Sequence, residues 1–282
     1  MRSADEEDGL ATPTNDARAL HELLEVVGSG DNSPTEAWAA VLDAPYGSLE
    51  YARRHAEAVA LYSGTLAHLA SLPDRSRERF EKYAWSWWMG ITAPMHAWGT
   101  RVDMKGVVDP AALDQLGSVA DLIESRLAGS LAVTTPDADL RDLRSVSQEW
   151  IDTLLKDSDL AQPLRLHLLQ DLHHIMWLID HVELFGVARV AAVGQQVVGN
   201  LAVAGDTIPD ANRGEWLARG KKLVAAIVLL GGIQSGVHST MMLTHEAGHF
   251  IAELTSGSST GAPTAPGPVD SGTTGLEPGQ GA

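Results

Sequence analysis

From about residue 17 to residue 254, apolar side chains recur at spacings of three and four, and runs alternating with period two do not recur. That spacing places them on one face of a helix and leaves no half-buried strand to pair, so the chain reads as all-α, a multi-helix bundle of about eight helices. Breakers divide it. Helices are expected over about 17–27, 34–43 and 48–71, the last stopped by Pro73 and presenting a narrow face of Ala52, Ala56, Val59, Ser63 and Leu66. The next starts near Asp74, carries Trp85, Trp87 and Trp88, and kinks at Pro94 before Trp98. Asp109-Pro110 opens a helix, Asp137 or Asp139 caps one bearing Leu143, Trp150 and Leu154, and Pro163 opens one that runs to Phe185. Gly186 punctuates, a Val- and Ala-rich helix follows to about Ala204, and a long hydrophobic C-terminal helix runs from Pro209 toward Leu254, with a break expected at Gly231-Gly232.

The ends differ in composition. Residues 1–16 form an acidic leader, and 255–282 collapse to Gly, Ser, Thr, Pro and Ala, too few apolar groups to offset the entropy of ordering. Disordered termini around one α-helical domain, 17–254, are the expectation. The net charge of −17, with 20 Lys and Arg against 37 acids, argues against a nucleic-acid partner, which needs a concentrated basic face. The first residues, Met1-Arg2 followed by Asp5, Glu6, Glu7 and Asp8, have no apolar core for a secretory signal, so a cytoplasmic location is expected. With no cysteine, any metal site has to be built from His, Asp and Glu.

One short motif carries that chemistry. In His245-Glu246-Ala247-Gly248-His249 the two histidines stand at i and i+4, so one helical face can present both to a Zn²⁺ while Glu246 polarises a metal-bound water. The stretch Leu243-Thr244-His245-Glu246-Ala247-Gly248-His249-Phe250-Ile251-Ala252 resembles the zinc-binding helix of site-2-type intramembrane metalloproteases and, more loosely, of zincins. The resemblance implies zinc ligation by His245 and His249, with Glu246 as general base. Catalytic zinc needs three protein ligands and an open position, and in those proteases the third comes from a downstream aspartate motif; here it has to come from upstream. His174, His181 and Asp171, which share a helical face with His167, are the candidates, and the same polar face equally suits solvent or a neighbouring helix.

The stretch Leu223–Thr244 contains no charged residue, follows Lys221-Lys222, and is long enough for a bilayer crossing, which takes about 20 residues. Gln234, Ser235, His238, Ser239 and Thr240 fit a buried core helix equally well, and both readings stay open. The Trp-rich, uncharged stretch Tyr83–Thr100 reads as core or helix interface. Two function classes follow. One is a non-enzymatic α-helical interaction protein, an effector or regulator acting through a protein partner, self-association or the inner membrane surface, and needing no cofactor. The other is a zinc-dependent metallohydrolase, peptidase-like, using His245, Glu246 and His249.

Overall fold

A computed structural model describes residues 12–96, 102–127, 137–156, 160–205, 208 and 210–234. Among these residues all regular structure is helical: α1 (Asp16–Gly28), α2 (Pro34–Val41), α3 (Leu49–Ala70), α4 (Asp74–Thr92), α5 (Pro110–Leu127), α6 (Asp137–Lys156), α7 (Gln162–Asp180), α8 (Val182–Gly205) and α9 (Asp210–Gln234). Short 3₁₀ turns occupy Ala93–Met95 and Met104–Gly106.

The N-termini are written in the sequence. Asn15 accepts a hydrogen bond from the Arg18 amide (3.0 Å) at the start of α1, and Ser48 does the same for Tyr51 at the start of α3. Ser33 and Glu36 form a reciprocal capping box, with Pro34 inside the first turn of α2. Each device satisfies amides that a helix end would otherwise leave without acceptors.

Two groups of helices share one core. In the first, α1 lies in the middle, against α2, α3 and α5. In the second, α6 packs on α7, α7 on α8, α8 on α9, and α9 returns to α6, the closed ring of a four-helix bundle with short connections. Leu143, Trp150, Ile151 and Leu154 of α6 are buried there, and Trp150 meets Trp216 of α9 edge to face at 4.6 Å. The groups join where α1 crosses α8. Gly186 makes that junction. Its backbone (φ 75, ψ 158) interrupts α8 in a region closed to other residues, and a side chain there would meet the Pro13 carbonyl at 3.0 Å.

Several expectations are revised. The leader ends earlier than residue 16: Pro13 and Asn15 are buried, and Thr14 donates to Glu124 of α5. Residues 1–11 and the tail 255–282 lie outside the described residues. The buried face of α3 is not Ala52, Ala56, Val59, Ser63 and Leu66 but Tyr51, His55, Ala58, Leu61, Thr65 and Leu69 with Glu57. Hydrogen bonds to core partners let His55, Glu57 and Thr65 sit inside, which an apolar-only reading of the face overlooks. Helix α9 continues through Gly231-Gly232 to Gln234. The helix long and apolar enough to cross a membrane among the described residues is α8, and 44% of its apolar window is buried inside the bundle.

Candidate functional site

The motif His245, Glu246 and His249 lies outside the described residues, as does the apolar run beyond Gln234. The upstream candidates are described, and they occupy three separate settings along α7. His167, Asp171, His174 and His181 do share a face, but a rise of about 1.5 Å per residue spreads them along the helix, so they cannot meet at one point. Asp171 accepts from Asn200 Nδ2 of α8 at 2.8 Å and lies 3.4 Å from His167 Nε2. His181, in the position that ends α7, has its Nδ1 2.9 Å from the Trp177 carbonyl, and its ring lies against Trp177. His174 is buried and turns to α3. Among the described residues no three His, Asp or Glu side chains converge as a metal centre.

The setting of His174 is the most developed polar feature of the fold. Its Nε2 stands 2.8 Å from Glu57 Oε1, and the other carboxylate oxygen receives Arg189 Nε at 2.9 Å and Nη2 at 2.5 Å. Three helices thus contribute one charge or dipole each: α3, α7 and α8. Glu57 and His174 keep 8% and 7% of their side-chain exposure, so an unpaired carboxylate here would cost several kcal/mol. Burial alone pushes the Glu57 carboxyl up; the His174 hydrogen bond and the adjacent Arg189 guanidinium outweigh it and hold the group below the usual carboxylate range. Nδ1 of His174, on the far side of the ring, is buried with no hydrogen-bond partner.

A second carboxylate approaches from α1. Asp16 fits against Gly64, where an added Cβ would fall 1.9 Å from Asp16 Oδ2, so the glycine provides the space. Burial raises the Asp16 pKa, opposed by His68 and Arg189, and Oδ2 is 3.9 Å from His68 Nε2. Arg189 therefore pairs with Glu57 and also acts electrostatically on the partly exposed Asp16. An aromatic wall closes the other side: Trp177 stacks on His174, packs on Phe185, and carries the Arg54 guanidinium 4.7 Å above its ring. Arg54 also donates to the Leu42 and Asp43 carbonyls, tying the end of α2 to α7.

Glu57 and Arg189 are absent from the site expected on sequence, and a signal for one of them exists. Arg189 is the single charged residue between Leu184 and Gly205, and a lone cation in an apolar helix has to find an anion. Glu57 carries no such mark, because α3 bears other acids and bases on its exposed side.

The Trp-rich stretch divides as a helix surface requires. Trp87 is fully buried and donates to the Ala112 carbonyl at 2.7 Å, Trp88 lies half-buried against Tyr62, and Trp85 is 67% exposed. Trp98 lies outside the described residues.

A small open groove of about 20 Å³ lies between α8 and α9, with walls from Val198, Leu201, Ala202, Trp216, Leu217 and Val224. Gly205 and Gly220 supply the room, and no titratable side chain lines it. Its surface is apolar and, among the described residues, offers no acid, base or nucleophile. The first part of the uncharged run forms one side of this region: Leu223, Val224, Ala226, Ile227 and Leu230 are buried, and Ile227 packs closely on Gly194 of α8. No family model, curated protein or solved structure matches the chain.

Proposed function

We propose that this chain is a non-enzymatic α-helical interaction protein, an effector or regulator that works by association. The contact is made at the α8–α9 end of the four-helix ring, with the inner membrane surface or with a protein partner, in the cytoplasm. The observation that carries this reading is the apolar α8–α9 groove, which lies beside the start of the uncharged run 223–244 and, among the described residues, holds no reactive group. The polar groups of the seam between the two helix sets are engaged with one another, as groups that hold a fold together are. Fractionation of cells expressing the full chain, with a carbonate wash, tests the membrane form; protein found wholly in the soluble fraction removes it. Light scattering of purified protein tests self-association.

The HEAGH spacing supports a second reading, a zinc-dependent hydrolase with His245 and His249 as ligands and Glu246 as general base. It ranks second because His174, His181 and Asp171 each have another partner, which leaves the third ligand unassigned. Stoichiometric zinc in purified protein, lost in His245→Ala and His249→Ala, is its test; protein purified without zinc sinks it.

A further inference from the structure

We infer that the solvent face of α4, built from Arg75, Arg79, Lys82 and Trp85, docks on an anionic lipid surface. Phe80, Trp87 and Ile91 turn the other side of α4 into the core. Arg75, Arg79 and Lys82 follow one another at i, i+4 and i+7, so they line one stripe away from that core, and Trp85 continues it a turn further on. All four are exposed, Trp85 to 67%. At a rise of about 1.5 Å per residue the stripe is about 15 Å long. Its charge is uncompensated. Of the three acids on α4, Asp74 and Glu81 both pair with Arg77, at 2.9 and 3.4 Å. Glu78 alone is left to face three cations, and among the described residues Arg75, Arg79 and Lys82 form no ion pair. Arg79 and Lys82 instead lie over the rings of Phe80 and Tyr83, at 5.2 and 4.8 Å, contacts that leave their charge available.

An anionic lipid surface is the partner that uses both halves of the stripe. Lys and Arg are drawn to its headgroups, each strengthening binding about fivefold, while a tryptophan ring favours the boundary between headgroups and hydrocarbon. Beyond the C-terminal end of α4 the exposed side chains turn apolar: Met95 and Tyr46 are more than half exposed, with Tyr46 donating to the Pro94 carbonyl at 2.9 Å. A nucleic acid would draw on a longer basic surface and leave these apolar groups unused. The net charge of −17 does not forbid the contact, because charges beyond a Debye length, about 8 Å at physiological salt, are largely screened and the nearest ones set the attraction. This contact rests on the membrane form of the proposed function and adds a second surface to it: α4 packs on α3 and α5, whereas the groove belongs to α8 and α9.

Flotation of the full chain with phosphatidylcholine vesicles, with and without phosphatidylserine, at about 0.15 M salt tests the contact. The wild type is expected to bind vesicles containing phosphatidylserine at least tenfold more tightly than those without it. Arg75→Gln, Arg79→Gln and Lys82→Gln together are expected to weaken that binding about a hundredfold at an unchanged melting temperature, and Trp85→Ala to weaken it several-fold. Glu78→Gln discriminates most sharply: it removes the one opposing charge, so binding is expected to tighten about fivefold, a gain that damage to the fold does not produce. Gly220→Leu, at the α8–α9 groove, separates the two surfaces. Binding that survives the triple substitution but is lost in Gly220→Leu overturns the α4 contact and leaves the proposed function standing. Equal binding to both kinds of vesicle, or no tightening in Glu78→Gln, also overturns the α4 contact alone. A wild type that floats with neither vesicle overturns the contact together with the membrane form of the proposed function.

Discussion

Replacing Arg189 by leucine keeps most of the side-chain volume on α8 and removes the cation that compensates Glu57. The carboxylate then stays in a site with 8% exposure, held only by His174 Nε2 at 2.8 Å. Breaking a buried ion pair by deleting one partner costs about 3–5 kcal/mol; Arg189 keeps 20% exposure and the His174 hydrogen bond survives, so the low end, about 3 kcal/mol, is expected near neutral pH. The pH dependence is the sharper part. In the wild type the folded pKa of Glu57 lies below its ordinary 4.5, so its contribution is complete above the unfolded pKa and is lost as pH falls through the folded value. In Arg189→Leu burial is opposed by His174 alone, so the folded pKa rises from its wild-type position. Because the folded pKa is higher in the variant than in the wild type, the deficit of the variant grows from acid to neutral pH. Asp16 adds to the effect in the same direction, because Arg189 also lowers its pKa. Urea unfolding followed by tryptophan fluorescence and circular dichroism at about pH 5 and about pH 8 measures both quantities. A loss below about 1 kcal/mol, or an equal loss at both pH values, refutes the reasoning.

Three further outcomes follow from individual residues. Gly186→Ala forces a side chain into φ 75, ψ 158 beside the Pro13 carbonyl, and is expected to cost about 1–3 kcal/mol in thermal or urea unfolding; an unchanged midpoint contradicts the assigned backbone. Asn15→Ala removes the cap of α1 and the Nδ2 donor to the Ala120 carbonyl, and is expected to cost about 1 kcal/mol in urea unfolding, whereas an unchanged midpoint contradicts the cap. Burial, with Glu25 and Glu124 close by and Arg18 opposing, pushes the Glu22 carboxyl up to about 7; its favourable contribution is complete below the ordinary 4.5 and is lost as pH rises through about 7, so Glu22→Gln should be more stable than wild type near pH 8 and no more stable near pH 4.

Helix ends were the most legible part of this chain, because capping and breaking are local. Pro73 follows the end of α3 as expected, whereas at Pro94 α4 gives way to a short 3₁₀ turn instead of kinking and continuing, and α7 ends at Asp180 instead of running to Phe185, with Gly186 interrupting α8. Core faces were less legible. On α3, expecting small apolar residues inside misplaced the helix by part of a turn, because its inner face holds His55 on the Ile91 carbonyl and Glu57 on Arg189. The α7 histidines show the same limit at the candidate site. A shared face is readable from spacing of three and four, but which neighbour each side chain meets depends on α3 and α8, which are distant in sequence: Glu57 lies 117 residues from His174, and Asn200 lies 29 from Asp171.

Association through the α8–α9 groove is tested most directly by filling it. Gly220 lines the groove, and a Cβ added there meets nothing within 4 Å, so Gly220→Leu adds bulk at the groove wall and removes a helix-weakening glycine. The measurement is association of the full chain with anionic vesicles by flotation, and with itself by light scattering, for wild type and variant side by side. The wild type is expected to float with vesicles or self-associate, and Gly220→Leu to weaken that association at least tenfold at an unchanged or higher melting temperature. A wild type that stays monomeric and soluble throughout, or a variant that associates as well as the wild type, contradicts it.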